Sequence, residues 1–132
     1  MKPFEVKDKK FRREILNELT DRYYINMNKE VGTMHFSPIH EDRITPCVTI
    51  TRDDIARATG RDKVRDVVLK QYAEAMRSSA IEVTHDRQKK TLRICVSPVR
   101  APEVEFKSFD AMRGKNEKDL MEDPELAADP FA

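Results

Sequence analysis

Between Cys47 and Val96 a short β-branched run gives way to apolar spacings of three and four and then to a period of two, and few folds accommodate that succession. Cys47-Val-Thr-Ile-Thr51 is short and β-branched, which predicts a strand. Thr51 is followed three residues later by Asp54, the spacing of a capped helix start, so the strand passes directly into a helix from about Asp53 to Thr59 that stops at Gly60. From Arg61 to about Ser78, Val64, Val67, Val68, Tyr72, Ala75 and Met76 recur at helical spacing and predict a second helix with one stripe toward the core and a charged opposite face. After Ser79 the period returns to two. Ile81 and Val83 alternate with Glu82 and Thr84, and Leu92, Ile94 and Val96 form a second alternating run. His85-Asp-Arg-Gln-Lys-Lys90 between them is a basic turn of hairpin length.

The flanks are organised differently. Phe11, Ile15, Leu19 and Tyr23, with Leu16 beside them, predict a helix over about 8–27 that forms the floor of the domain. Residues 28–46 lose any period: Gly32, Pro38 and Pro46 bracket Thr33–Phe36 and Arg43–Thr45, read as short strands or as an irregular excursion. That excursion is either ordered by Met34, Phe36 and Ile39 or used for a contact. Pro98 and Pro102 end the last strand, after which Glu103–Phe106 reads as an edge strand or as the start of a short helix through Met112. Beyond Gly114 apolar residues are too few to pack. The expectation is therefore one α+β domain over 1–113 and a disordered acidic tail over 114–132.

Charge is segregated along the 132 residues although the net charge is only +1. Residues 47–100 hold twelve Lys or Arg against seven Asp or Glu, whereas residues 115–132 hold two against six. A basic body and an acidic tail follow. No apolar run suits a membrane span or a signal peptide, so a cytoplasmic location is expected. Cys47 and Cys95 are isolated in sequence and are expected as small buried apolar residues in a reducing compartment rather than as a disulfide. His35, His40, Glu41 and Asp42 lie close together but lack the spacing of a helix-borne metal site, and no nucleophile sits beside an evident base. With three glycines and no phosphate-binding loop motif, no catalytic residue, metal or cofactor is assigned.

The stretch Ile50-Thr-Arg-Asp-Asp-Ile-Ala-Arg-Ala-Thr-Gly60, with Arg61-Asp-Lys-Val-Arg-Asp-Val-Val behind it, resembles the helix-turn-helix of bacterial winged-helix regulators, over about fifty residues. That resemblance implies a winged helix-turn-helix core, with Ile55 and Ala56 on a positioning helix, Gly60 in the turn, and Arg61, Lys63, Arg65, Asp66 and Lys70 early on a recognition helix. It implies base-edge contacts from Arg61 and Arg65, phosphate contacts from Lys63 and Lys70, and wing contacts from Arg87, Lys89 and Lys90. The function implied is regulation of, or an accessory part in, bacterial, plasmid or phage DNA transactions, with double-stranded DNA as partner. Asp62, Asp66 and Glu74 depart from the pattern, since carboxylates near phosphate are repulsive. They support a second reading, an adaptor or inhibitor that binds a protein through the same face or through residues 28–46.

The chain's end, closing on Asp129-Pro130-Phe131, resembles the acidic Pro-Phe tails of bacterial single-stranded DNA-binding proteins, with Ala132 as an added residue. By that resemblance Phe131 is a partner-binding residue. The same tail also reads as an electrostatic competitor lying in the basic body, or as a solubilising extension.

Overall fold

The computed structural model describes residues 3–32, 45–97 and 105–128. They form helix α1 (Pro3–Gly32), strand β1 (Cys47–Thr51), helices α2 (Arg52–Thr59) and α3 (Asp66–Met76), strands β2 (Ile81–Asp86), β3 (Thr91–Val96) and β4 (Glu105–Phe106), and helix α4 (Phe109–Glu122). A 3-10 turn over Pro124–Ala127 follows. The class is α+β, as expected.

The sheet order is β2-β3-β1-β4. β3 pairs antiparallel with both β1 and β2, while β4 joins β1 in parallel. Strand alternation puts Val48, Ile50, Val83, Leu92 and Ile94 on the inner face, where they meet Phe11, Ile15 and Leu19 of α1, Ile55 of α2, and Val68, Leu69 and Tyr72 of α3 in one buried cluster. Phe109 of α4 closes that cluster, edge-on to Phe11 with ring centroids 5.0 Å apart.

Three differences from the sequence reading have physical causes. On α3 the inward stripe is Val68, Leu69, Tyr72, Ala73 and Met76, and Val67 is exposed; the helix starts later than expected, and Val64 is buried from the loop ahead of it. Residues 114–128, expected to be disordered, continue a helix and end in a 3-10 turn. α4 begins under a Ser108 cap whose hydroxyl oxygen accepts from the Ala111 N–H, and it buries Phe109, Met112, Asn116 and Asp119. That is a helical stripe whose second half is polar, and it docks by pairing: Arg22 of α1 donates to Asp119 at 2.6 Å, and the Asn116 side-chain amide donates to the Glu18 carbonyl at 2.9 Å. Asn28 holds the last turn by donating to the carbonyls of Leu126 and Ala128.

The third difference concerns the cysteines. Cys47 and Cys95 are register partners across β1 and β3, with Cα atoms 4.1 Å apart, and their sulfurs are bonded. The expectation of two free thiols is corrected: residues isolated by 48 positions in sequence are opposed once the strands pair.

Candidate nucleic-acid interface

The turn between α2 and α3 is built from the cap outward. The Thr51 hydroxyl accepts from the Asp54 N–H and the Asp54 carboxylate accepts from the Thr51 N–H, a complete capping box that anchors α2 to the end of β1. The same carboxylate accepts from the Phe109 N–H, tying α4 to this corner. α2 ends at Gly60, whose φ of 76° is the left-handed conformation that glycine adopts without a Cβ penalty.

Arg61 to Arg65 then run as a loop rather than as the first turns of α3, which starts only at Asp66. The placement of Arg61, Lys63 and Arg65 on a helix is therefore corrected. Arg61, expected to read base edges, is engaged inside the fold. Its guanidinium donates at 2.6 Å to the buried carboxylate of Asp8 and lies over the Phe4 ring. The Tyr72 hydroxyl donates to the same carboxylate at 2.7 Å. Burial first, and then the bond to Asp8, raise the Tyr72 hydroxyl far above its ordinary value. The sequence gives Arg61 no mark that separates it from Lys63 and Arg65, because its partner lies 53 residues away.

Of the other candidate bases, all but the half-buried Lys90 are exposed, and all but Lys89 line two clefts that flank α3. Lys63 and Arg65 of the loop, Lys90 of the β2–β3 turn and Arg52 of α2 border one cleft, together with Asp53, Asp62 and Asp66. The first-turn N–H groups of α3 have no side-chain cap at this cleft, so the positive end of the helix adds to the bases. Arg52 bears no functional mark in the sequence, where it is simply the residue after a cap. Lys70 and Arg87 border the second cleft, between α3 and β2, with Glu74, Arg77 and His85. Here Arg77 is committed to the fold, since its guanidinium donates to the Val83 carbonyl on the sheet edge.

The turn carrying Arg87, Lys89 and Lys90 is closed by Asp86, whose carboxylate accepts from the N–H groups of Gln88 and Lys89 at 3.0 and 2.9 Å. Lys90 sits at φ 55°, a left-handed conformation unusual for a lysine. On α3 itself the exposed residues are Asp66, Val67, Lys70, Gln71, Glu74 and Ala75, so a single base faces outward beside two acids.

Six of the candidate bases thus differ from seven others in their partners. Arg22, Lys29, Arg57, Arg61, Arg93, Arg113 and Lys115 each pair with a carboxylate. Lys63, Arg65, Lys70, Arg87, Lys89 and Lys90 pair with none among the described residues. No group of three or more His, Cys, Asp or Glu able to hold a metal, and no helix long and apolar enough to cross a membrane, occurs among the described residues. Phe131, the His35 to Asp42 cluster and most of the 28–46 excursion lie outside those residues. The chain matches no protein-family model, no curated protein and no solved structure.

Proposed function

We propose that this protein is a small winged-helix factor that binds double-stranded DNA mainly through the phosphate backbone, as a regulator or accessory factor in DNA transactions. The observation that carries the reading is the division among its bases: Lys63, Arg65, Lys70, Arg87, Lys89 and Lys90 beside α3 pair with no carboxylate among the described residues, while seven others, distributed over α1, α2, the α2–α3 loop, β3 and α4, are paired. Unpaired clustered lysines and arginines repel one another unless an anion is present, and a polyanion releases counterions when it binds them. Supporting the winged-helix part is the order α1-β1-α2-α3-β2-turn-β3 with β3 between β1 and β2. In this reading the β2–β3 turn is the wing.

Phosphate contacts dominate because α3 offers base edges little: Asp66 and Glu74 stand on its exposed face, and Arg61 is withdrawn into the Asp8 contact. Lys63, Arg65 and Lys90 grip one stretch of backbone and Lys70, Arg87 and Lys89 another. The test is retention on a duplex of arbitrary sequence at low salt. Release as salt rises, with weak dependence on sequence, supports the proposal; failure to be retained at about 50 mM salt overturns it.

The second reading, an adaptor that binds a protein, draws on Val67, which is 57% exposed on α3. Under it a protein co-purifies after nuclease treatment and Val67→Ser abolishes the association. A cytoplasmic location belongs to the proposal as well. The Cys47–Cys95 bond bears on it, because a reducing compartment keeps such thiols unbonded, and thiol titration of freshly lysed cells decides the matter.

A further inference from the structure

We infer that the first turns of α1 form a second binding site for nucleic-acid phosphates, continuous with the loop that carries Lys63 and Arg65. Residues 7–13 read Lys-Asp-Lys-Lys-Phe-Arg-Arg, five bases and one acid. That acid, Asp8, is buried and held by Arg61 and Tyr72, so it does not neutralise its neighbours. Lys7, Lys9, Lys10 and Arg13 are exposed, and none pairs with a carboxylate among the described residues; Arg12 lies over the Tyr72 ring. Glu5 and Glu14 flank the patch without bonding to it.

Two features point to an external polyanion as the occupant. First, among the described residues the carboxylates of the C-terminal segment that pair with bases of α1 do so in its other half, where Asp119 takes Arg22 and Lys29 and Asn116 takes the Glu18 carbonyl. Arg22 and Lys29 are thus neutralised in cis, and the bases at 7–13 have no such partner among the described residues. Secondly, the patch abuts the proposed DNA-binding loop: the Lys7 ammonium lies 3.8 Å from the position a Cβ on Gly60 would take, and Arg61 joins the loop to Asp8 and Phe4. A backbone lying over Lys63 and Arg65 is extended by Lys7, and Lys10 and Arg13 continue the charge around the outer face of the helix. The inference rests on the duplex-binding proposal and adds a binding surface that the helix-turn-helix resemblance does not include.

The experiment measures the affinity of the full chain for a fluorescent duplex of arbitrary sequence across a salt series. It compares wild type, the triple variant Lys9→Gln, Lys10→Gln, Arg13→Gln, and the loop variant Lys63→Gln, Arg65→Gln, Lys90→Gln. Removing one phosphate-binding base lowers the slope of log affinity against log salt by about 0.9, so the α1 variant is expected to show about two to three units less slope and at least about tenfold weaker binding at low salt. Weakening in both variants supports the inference and the proposal. Weakening in the loop variant alone overturns the inference and leaves the proposal. Weakening in the α1 variant alone keeps this site and removes the loop face, and a wild type that does not bind overturns both. The helical circular dichroism of each variant is checked first; Lys9→Gln with Arg13→Gln replaces the triple if it is unfolded, with about two units of slope expected.

Discussion

Arg61 and Lys63 are two residues apart and alike in charge, and their surroundings separate them. The Arg61 side chain is 17% exposed and bonded to Asp8, whereas Lys63 is exposed and bonded to no carboxylate among the described residues. Removing Arg61 leaves a buried carboxylate with only the Tyr72 hydroxyl, so Arg61→Ala should cost about 3 to 5 kcal/mol in urea unfolding. Lys63→Ala should change stability by no more than about 0.5 kcal/mol and weaken DNA binding instead. Lys90 offers a sharper separation. Its left-handed backbone costs a lysine roughly 1 kcal/mol relative to glycine, so Lys90→Gly should raise the melting temperature while lowering the salt dependence of DNA binding by about one unit. A drop in stability in that variant would show that Lys90 is kept for packing rather than for its charge.

At the scale of elements, α1 organises the molecule by two different chemistries along its length. Phe11, Ile15 and Leu19 pack into the core, and Leu19→Ala should therefore cost about 2 to 5 kcal/mol. Its second half holds α4 through Arg22 and Asp119. Burial pushes the Asp119 carboxyl up, but hydrogen bonds from Arg22 and Lys29 outweigh it and bring the pKa from 3.8 down to about 2. A carboxylate lowered in the folded state contributes stability that is fully present above about pH 4 and is lost as pH falls through about 2. Wild type should lose urea resistance in that window, and Asp119→Asn should lose distinctly less there. Burial acts in the opposite direction on Glu18 and Asp21, whose carboxyls are raised, so their contribution declines as pH rises past the ordinary carboxylate range. The comparison of one variant with wild type isolates Asp119 from both.

The same two chemistries explain what the sequence disclosed. The capping box at Thr51, the alternation in β1, β2 and β3, the stop at Gly60 and the Phe11–Ile15–Leu19 stripe are local patterns written in consecutive residues, and each matches the element found. α4 is illegible because its buried positions run Phe109, Met112, Asn116 and Asp119, and the last two are buried only through partners nearly a hundred residues away. The Cys47–Cys95 bond and the Arg61–Asp8 contact share that origin: each depends on register or on docking, which no single stretch of sequence carries. For the candidate interface, residue type is legible, and the six outward bases stand out in the sequence as cations that the structure leaves at the surface. Their position relative to a helix is not, since the loop over 61–65 and a helix starting at Arg61 differ by less than two turns of the same apolar pattern.

For the whole molecule, charge is sorted by neighbourhood rather than by total. Asp119 of α4 neutralises Arg22 and Lys29 of α1, the ion pairs of Arg57 with Asp110 and Arg93 with Glu105 quiet the surfaces around them, and Lys63, Arg65, Lys70, Arg87, Lys89 and Lys90 beside α3 pair with no carboxylate among the described residues. The central claim is that these unpaired bases, not net charge, bind duplex DNA. It is tested most directly by salt titration of duplex affinity in two variants of equal net charge. One carries Lys63→Gln, Arg65→Gln and Lys90→Gln, and the other removes three paired bases, Arg57→Gln, Arg93→Gln and Arg113→Gln. The account predicts that the first falls by about two to three units of salt slope while the second stays close to wild type; an equal fall in both, or a fall in neither, would contradict it.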